Sequence, residues 1–94
     1  MGYYAEQHKI ALVSSLEVVL MSMGNTKYNL LVAKLDSLYN MTIRECHEHP
    51  EYLKSVLKEV YSKDYDAIIS EVKAHLDELI DEEDMVSFFK VMES

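Results

Sequence analysis

Apolar residues recur along this chain at intervals of three and four, and no stretch alternates in twos, which is the period of helices and not of strands. The spacing predicts a first helix from about Ala5 to Met23. Ile10, Val13, Leu16, Leu20 and Met23 form one stripe on it, with Leu12 and Val19 beside them. A face this wide implies either a central position in a bundle or a contact between protomers. Gly24 suits the left-handed residue that ends a helix, and Asn25 or Thr26 suits the next N-cap. A second helix over about Lys27 to Tyr39 then buries Tyr28, Leu31, Leu35 and Leu38.

Thr42-Ile43-Arg44-Glu45 has the capping-box spacing, so a short helical turn should follow. Pro50 ends it, because a proline disfavours the α conformation at His49 and lacks the amide hydrogen a helix interior needs. Proline fits the first position of a new helix instead, and Glu51 beside it complements the positive end of the helix dipole. From there Leu53, Leu57, Tyr61, Tyr65, Ile68, Val72, Leu76 and Leu79 keep one phase without a slip. That phase alone permits a single helix of about 30 residues, nearly three times the average. Ser62-Lys63-Asp64 is its only polar punctuation, and Ser and Asp are good caps, which places a break there and helices over about 50–61 and 64–80. A last helix, about Glu82 to Met92, carries Met85, Phe88, Phe89 and Met92 on one face behind the acidic run Asp81-Glu82-Glu83-Asp84. The expectation is an all-α fold, a single small bundle of five or six helices forming one domain over residues 1–94.

With 94 residues, two glycines and one proline, such a chain builds one core but has little left to wall off a deep substrate cavity. Phosphate loops and dinucleotide fingerprints need more than Gly2 and Gly24. The formal net charge is −8. Residues 1–50 carry five acids against four bases, and residues 51–94 carry twelve against five. This field repels phosphate backbones and anionic lipid, so neither nucleic acid nor membrane is expected as a partner. The most apolar stretch, Ile10 to Met23, is interrupted by Ser14, Ser15, Glu17 and Ser22 and falls short of the ~20 residues of a membrane span. One cysteine, Cys46, and no basic leader point to the reducing cytoplasm. Seven tyrosines and six methionines on helix faces serve either the core and its edge or an interface.

The chemically dense segment is Glu45-Cys46-His47-Glu48-His49-Pro50-Glu51. Its thiol, imidazoles and carboxylates suit zinc. Cys46 and His49 at i, i+3, or Glu45 and His49 at i, i+4, share a helical face, and His47 is a further donor. A structural zinc site, however, takes four ligands, normally as spaced pairs, and His8 and His75 stand alone on other helices. For nucleophilic catalysis Cys46 has imidazoles near it in sequence, but no oxyanion hole can be named. The remaining reading is structural: Cys46 as a small buried hydrophobe, His49 capping the helix that Pro50 opens, Glu48 and Glu51 in solvent.

Ser22-Met23-Gly24-Asn25 followed by Tyr28, then Leu38-Tyr39-Asn40, and above all Glu45-Cys46-x-Glu48-His49-Pro50-Glu51-Tyr52-Leu53, resemble a family of small archaeal proteins, the Nitrosopumilus output domain class. The resemblance runs from about Leu16 to Met92. It implies a helical output module of signal transduction and assigns no activity. Cys46, Glu48, His49, Pro50, Glu51 and Tyr52 are its structural motif. His47 stands where the family pattern has an aromatic residue, and the glycine-containing turn of related chains falls near Ser62-Lys63-Asp64, which here has no glycine.

The sequence thus points to a non-catalytic, cytoplasmic protein-interaction or signalling output module with a protein partner and no cofactor. A homodimer through part of the first helix follows if the bundle leaves that helix's second stripe uncovered. The alternative is a small metal-binding or redox-responsive protein using Glu45, Cys46, His47 and His49.

Overall fold

The computed structural model describes residues 6–94; Tyr3, Tyr4 and the helical start expected at Ala5 lie outside the described residues. Five α-helices follow in order: α1 (Glu6–Ser22), α2 (Asn25–Tyr39), α3 (Pro50–Tyr61), α4 (Tyr65–Leu76) and α5 (Glu83–Met92). Short 3-10 turns at Ile43–Glu45, Ser62–Asp64 and Asp77–Asp81 join them, and no strand occurs among the described residues. The fold is all-α. None of these helices is long and apolar enough to cross a membrane.

Packing follows the chain closely. α1 lies against α2 and α4, α3 lies against α2 and α5, and the Asp77–Asp81 turn ties α4 to α5. One cluster of buried side chains fills the interior, drawing Leu12, Leu16 and Leu20 from α1, Leu31 and Leu35 from α2, Leu53 and Leu57 from α3, Ile68 and Val72 from α4, and Met85 and Phe88 from α5. Burying side chains of this size is worth about 1.5–3 kcal/mol each, and this cluster is what makes helices of 10–17 residues stable when isolated ones are marginal.

Two apolar residues sit elsewhere than their spacing predicts. Ile10 is 58% exposed, because two residues on a helix stand about 200° apart and the burial of Leu12 turns Ile10 outward. Leu38 is 57% exposed. At that last turn of α2 the inward places belong to Tyr39, which stacks on Tyr52 of α3, and to Met41, which is buried just past the helix.

The helix ends show how the chain turns with so little glycine. Gly24, at φ 114, is the N-cap of α2 itself, accepting from the Tyr28 N–H at 3.3 Å, so α2 begins at Asn25 and neither Asn25 nor Thr26 caps it. A Cβ on Gly24 would meet nothing within 4 Å; its backbone angle and not crowding is what calls for glycine. Asn40 (φ 52), Ser62 (φ 39) and Asp77 (φ 53) end the next three long helices in the left-handed half of the map. Ser62 provides the break expected at Ser62-Lys63-Asp64. Asp77 provides one that the phase running on to Leu79 conceals: α4 stops at Leu76, and Leu79 is only half-buried in the 3-10 turn beyond.

Candidate functional site

The connection from α2 to α3 contains the dense segment, and backbone geometry explains its shape. The Glu45 carboxylate accepts from the Thr42 N–H at 3.0 Å and from the Thr42 hydroxyl at 3.2 Å, which closes the first turn as the capping-box spacing requires. Successive amides continue the tight turn, Cys46 to the Ile43 carbonyl and His49 to the Cys46 carbonyl, each at 3.2 Å. The His49 carbonyl then receives the Tyr52 and Leu53 amides at the start of α3. His49 occupies the N-cap position without a side-chain cap, because its ring lies flat on Tyr52 at 5.0 Å, and Tyr52 in turn stacks on Tyr39 at 4.2 Å with the planes 6° apart. Three stacked rings therefore pin the segment to the end of α2.

The same geometry disperses the donors. The Cys46 side chain is fully buried among the core hydrophobes, whereas His49, Glu45, Glu48 and Glu51 are exposed. The His47 ring is largely covered and lines the same surface as Glu45 and Glu48, with its Nε2 3.4 Å from the Glu48 carboxylate. Glu45, Cys46, His47 and His49 are thus not gathered into a metal-holding group, and among the described residues no three His, Cys, Asp or Glu side chains are. Shared helical faces at i, i+3 and i, i+4 presuppose a regular α-helix, and a three-residue 3-10 turn that gives way to a non-helical His49 does not supply one. Burial pushes the Cys46 thiol from 9.0 up to about 12, which suppresses the thiolate that nucleophilic, redox or metal chemistry requires.

An open groove of about 500 Å³ lies between α1 and this connection. Ile10 and Val13 give it an apolar floor, and Ser14 lies beside them. Its rim carries the carboxylates of Glu6, Glu17, Glu45 and Glu48 and the cations of Lys9 and Arg44. Much of that charge has local work: Glu17 accepts from the Tyr28 hydroxyl at 2.9 Å, Glu45 holds Thr42, and Glu6 lies 4.0 Å from Lys9. Burial and then the Glu17 hydrogen bond push the Tyr28 hydroxyl up to about 12. Sequence spacing hides this groove, since it places Ile10 and Val13 on the buried stripe; the signal is the count of apolar residues on α1, too many for one face.

His8 of α1 meets Asp84 of α5 at 2.8 Å, with Glu82 3.9 Å from its other nitrogen. Asp84 also receives the Met85 amide at 2.8 Å within the first turn of α5, so one carboxylate serves the start of α5 and clasps α1 at once. No family model, curated protein or solved structure matches this chain.

Proposed function

We propose that the protein is a non-catalytic protein-interaction module, a signalling output domain of the kind its resemblance implies, and that it docks its partner on the outward face of α1 and the adjoining groove. The observation that carries this reading is the position of Ile10, Val18 and Met21: three large apolar side chains exposed on one helix, beside an open groove with an apolar floor. An open trough of this kind suits a protein surface better than a small substrate, which needs enclosure on most sides. The lone nucleophile, Cys46, faces the core, and a buried, unpaired thiol fits a reducing cytoplasm.

A photoreactive side chain placed at position 10, and separately at the exposed Val86 of α5, tests this in the native host. A covalent adduct of defined mass from position 10 and none from position 86 supports the proposal. Equal labelling from both, or none from position 10, overturns it.

A further inference from the structure

We infer that α3 and α4 open at Ser62 into one continuous helix, and that two opened chains exchange α4 and α5 to form a domain-swapped dimer. The inference stands apart from the docking reading above. Among the described residues, three helix ends hold a residue other than glycine at positive φ: Asn40, Ser62 and Asp77. Asn40, at ψ 44, lies in the ordinary left-handed well that asparagine tolerates. Ser62, at φ 39 and ψ −100, lies outside that well, where a serine is strained. Asp77 has similar angles, φ 53 and ψ −118, but a helix through it would run into the four acids Asp81 to Asp84, which interrupt the apolar phase before Met85.

At Ser62 the phase does not break. Leu57, Tyr61, Tyr65 and Ile68 follow one another at four, four and three, so a helix running through the joint keeps a single apolar stripe. The same helix sets Glu59 four residues ahead of Lys63, the favourable order for an ion pair, whereas the closed joint leaves Glu59 with Lys34. Opening therefore relieves the strained serine at no loss of pattern. A straight helix over residues 50–76 is about 40 Å long, against a longest extent of 33 Å for the closed molecule, so α4 must leave the α1 of its own chain.

The packing divides at the same joint. α4 packs principally on α1, and α5 on α3, with little contact between α3 and α4 themselves. An opened chain thus uncovers two matching faces, the α1 and α3 side with Leu16 and Leu53 and the α4 and α5 side with Ile68, Val72 and Phe88. A second opened chain supplies both, and exchange rebuilds each closed interface between two chains, the His8–Asp84 clasp included. Only the crossing of the two long helices is new, and residues 50–76 carry five acids against four bases, so the net charge of −8 does not bar it. The closed monomer makes the same contacts without the cost of association, which confines the dimer to chains that fold at high concentration.

Refolding from urea at low and at high protein concentration, followed by size-exclusion chromatography, tests this. High micromolar refolding of the parent chain is expected to give a dimer beside the monomer, and dilute refolding the monomer alone. S62A favours the continuous helix and resists positive φ, whereas S62G does the reverse; with two joints in each dimer, their dimerisation constants should differ roughly hundredfold, S62A the larger. To identify the dimer as exchanged, chains carrying E51C and A74C at exposed positions are labelled in the native state with iodoacetamide spin labels, which the buried Cys46 does not take up, and are refolded with excess unlabelled chain. The dimer should show an intrachain distance of about 35 Å, the rise of a straight helix between those positions, and the monomer a shorter one. A parent that refolds to monomer alone at high micromolar concentration, S62G dimerising as well as S62A, or a dimer with the label distance of the monomer overturns the inference.

Discussion

α1 and α3 are both amphipathic in the sense of burying one face, yet they differ in what the other face carries. α3 buries Leu53, Val56, Leu57 and Tyr61 and turns Glu51, Ser55, Lys58 and Glu59 to water. α1 buries Leu12, Leu16, Val19 and Leu20 and turns Ile10, Val18 and Met21 to water. Stability explains all of α3, whereas it explains only half of α1. Apolar residues beyond those the core can absorb are what separate a helix that only folds from one that also offers a surface.

The largest effect that tests this contrast is a core truncation. Leu57→Ala in α3 removes a fully buried side chain and should cost about 2–5 kcal/mol in chemical denaturation, while Ile10→Ala in α1 should stay within about 0.5 kcal/mol. Comparable losses at the two sites would erase the distinction between the helices.

Next in size is Cys46→Ser, which places a hydroxyl among hydrophobes and should cost roughly 1–3 kcal/mol, with the native thiol unreactive toward reagent until the chain unfolds. The thiol also sets a pH dependence. Folded Cys46 keeps its proton to about pH 12, and the unfolded thiol loses it near 9.0. Its raised value therefore contributes stability that is complete below pH 9 and is lost as pH rises toward 12. Alkaline melts of the parent should fall more steeply than those of Cys46→Ala, and parallel curves would show the thiol to be exposed.

Two tyrosines on either side of the Ser62 joint sharpen the contrast further. The Tyr65 hydroxyl, itself pushed up to about 12 by burial, donates to the Met92 carbonyl at 2.6 Å in the interior, so Tyr65→Phe should cost about 1 kcal/mol. The buried Tyr61 hydroxyl has no hydrogen-bond partner among the described residues, so Tyr61→Phe should be neutral or slightly stabilising. Thermal melts that rank the two the other way would contradict the hydrogen bonding described. A small, salt-sensitive effect belongs to the exposed Lys34–Glu59 pair between α2 and α3, where Lys34→Met should change stability by no more than about 1 kcal/mol and lose even that in high salt.

The legible part of this fold is the part with a polar counter-face. For α3 and α5 the sequence names the buried residues because only one face is apolar, and the Ser62 joint shows as three polar residues in an apolar phase. At α1 the same reading turns Ile10 inward, since an apolar surround offers no contrast by which to choose a face. Asp77 escapes because the phase runs through it, and its stop is set by the packing of the Asp77–Asp81 turn against α5. The site is less legible still. Cys46 reads as a buried hydrophobe from its type alone, but the groove needs Ile10 beside Arg44 and the clasp needs His8 beside Asp84, 76 positions away, and no local pattern encodes either meeting.

The joint at Ser62 has a consequence for how the chain is made. A serine at φ 39 and ψ −100 is strained by about 1–3 kcal/mol relative to a helical one, while the apolar phase on both sides would be satisfied by a continuous helix. Locally, then, residues 50–76 favour a straight rod. What bends them is tertiary: the rod must break for α4 to fold back onto α1, its principal neighbour. During vectorial synthesis the ribosome releases α1 before α4 exists, so the surface that forces the break is always present when the segment to be broken emerges. A circular permutant that moved α1 behind α5 would keep every contact and lose that order.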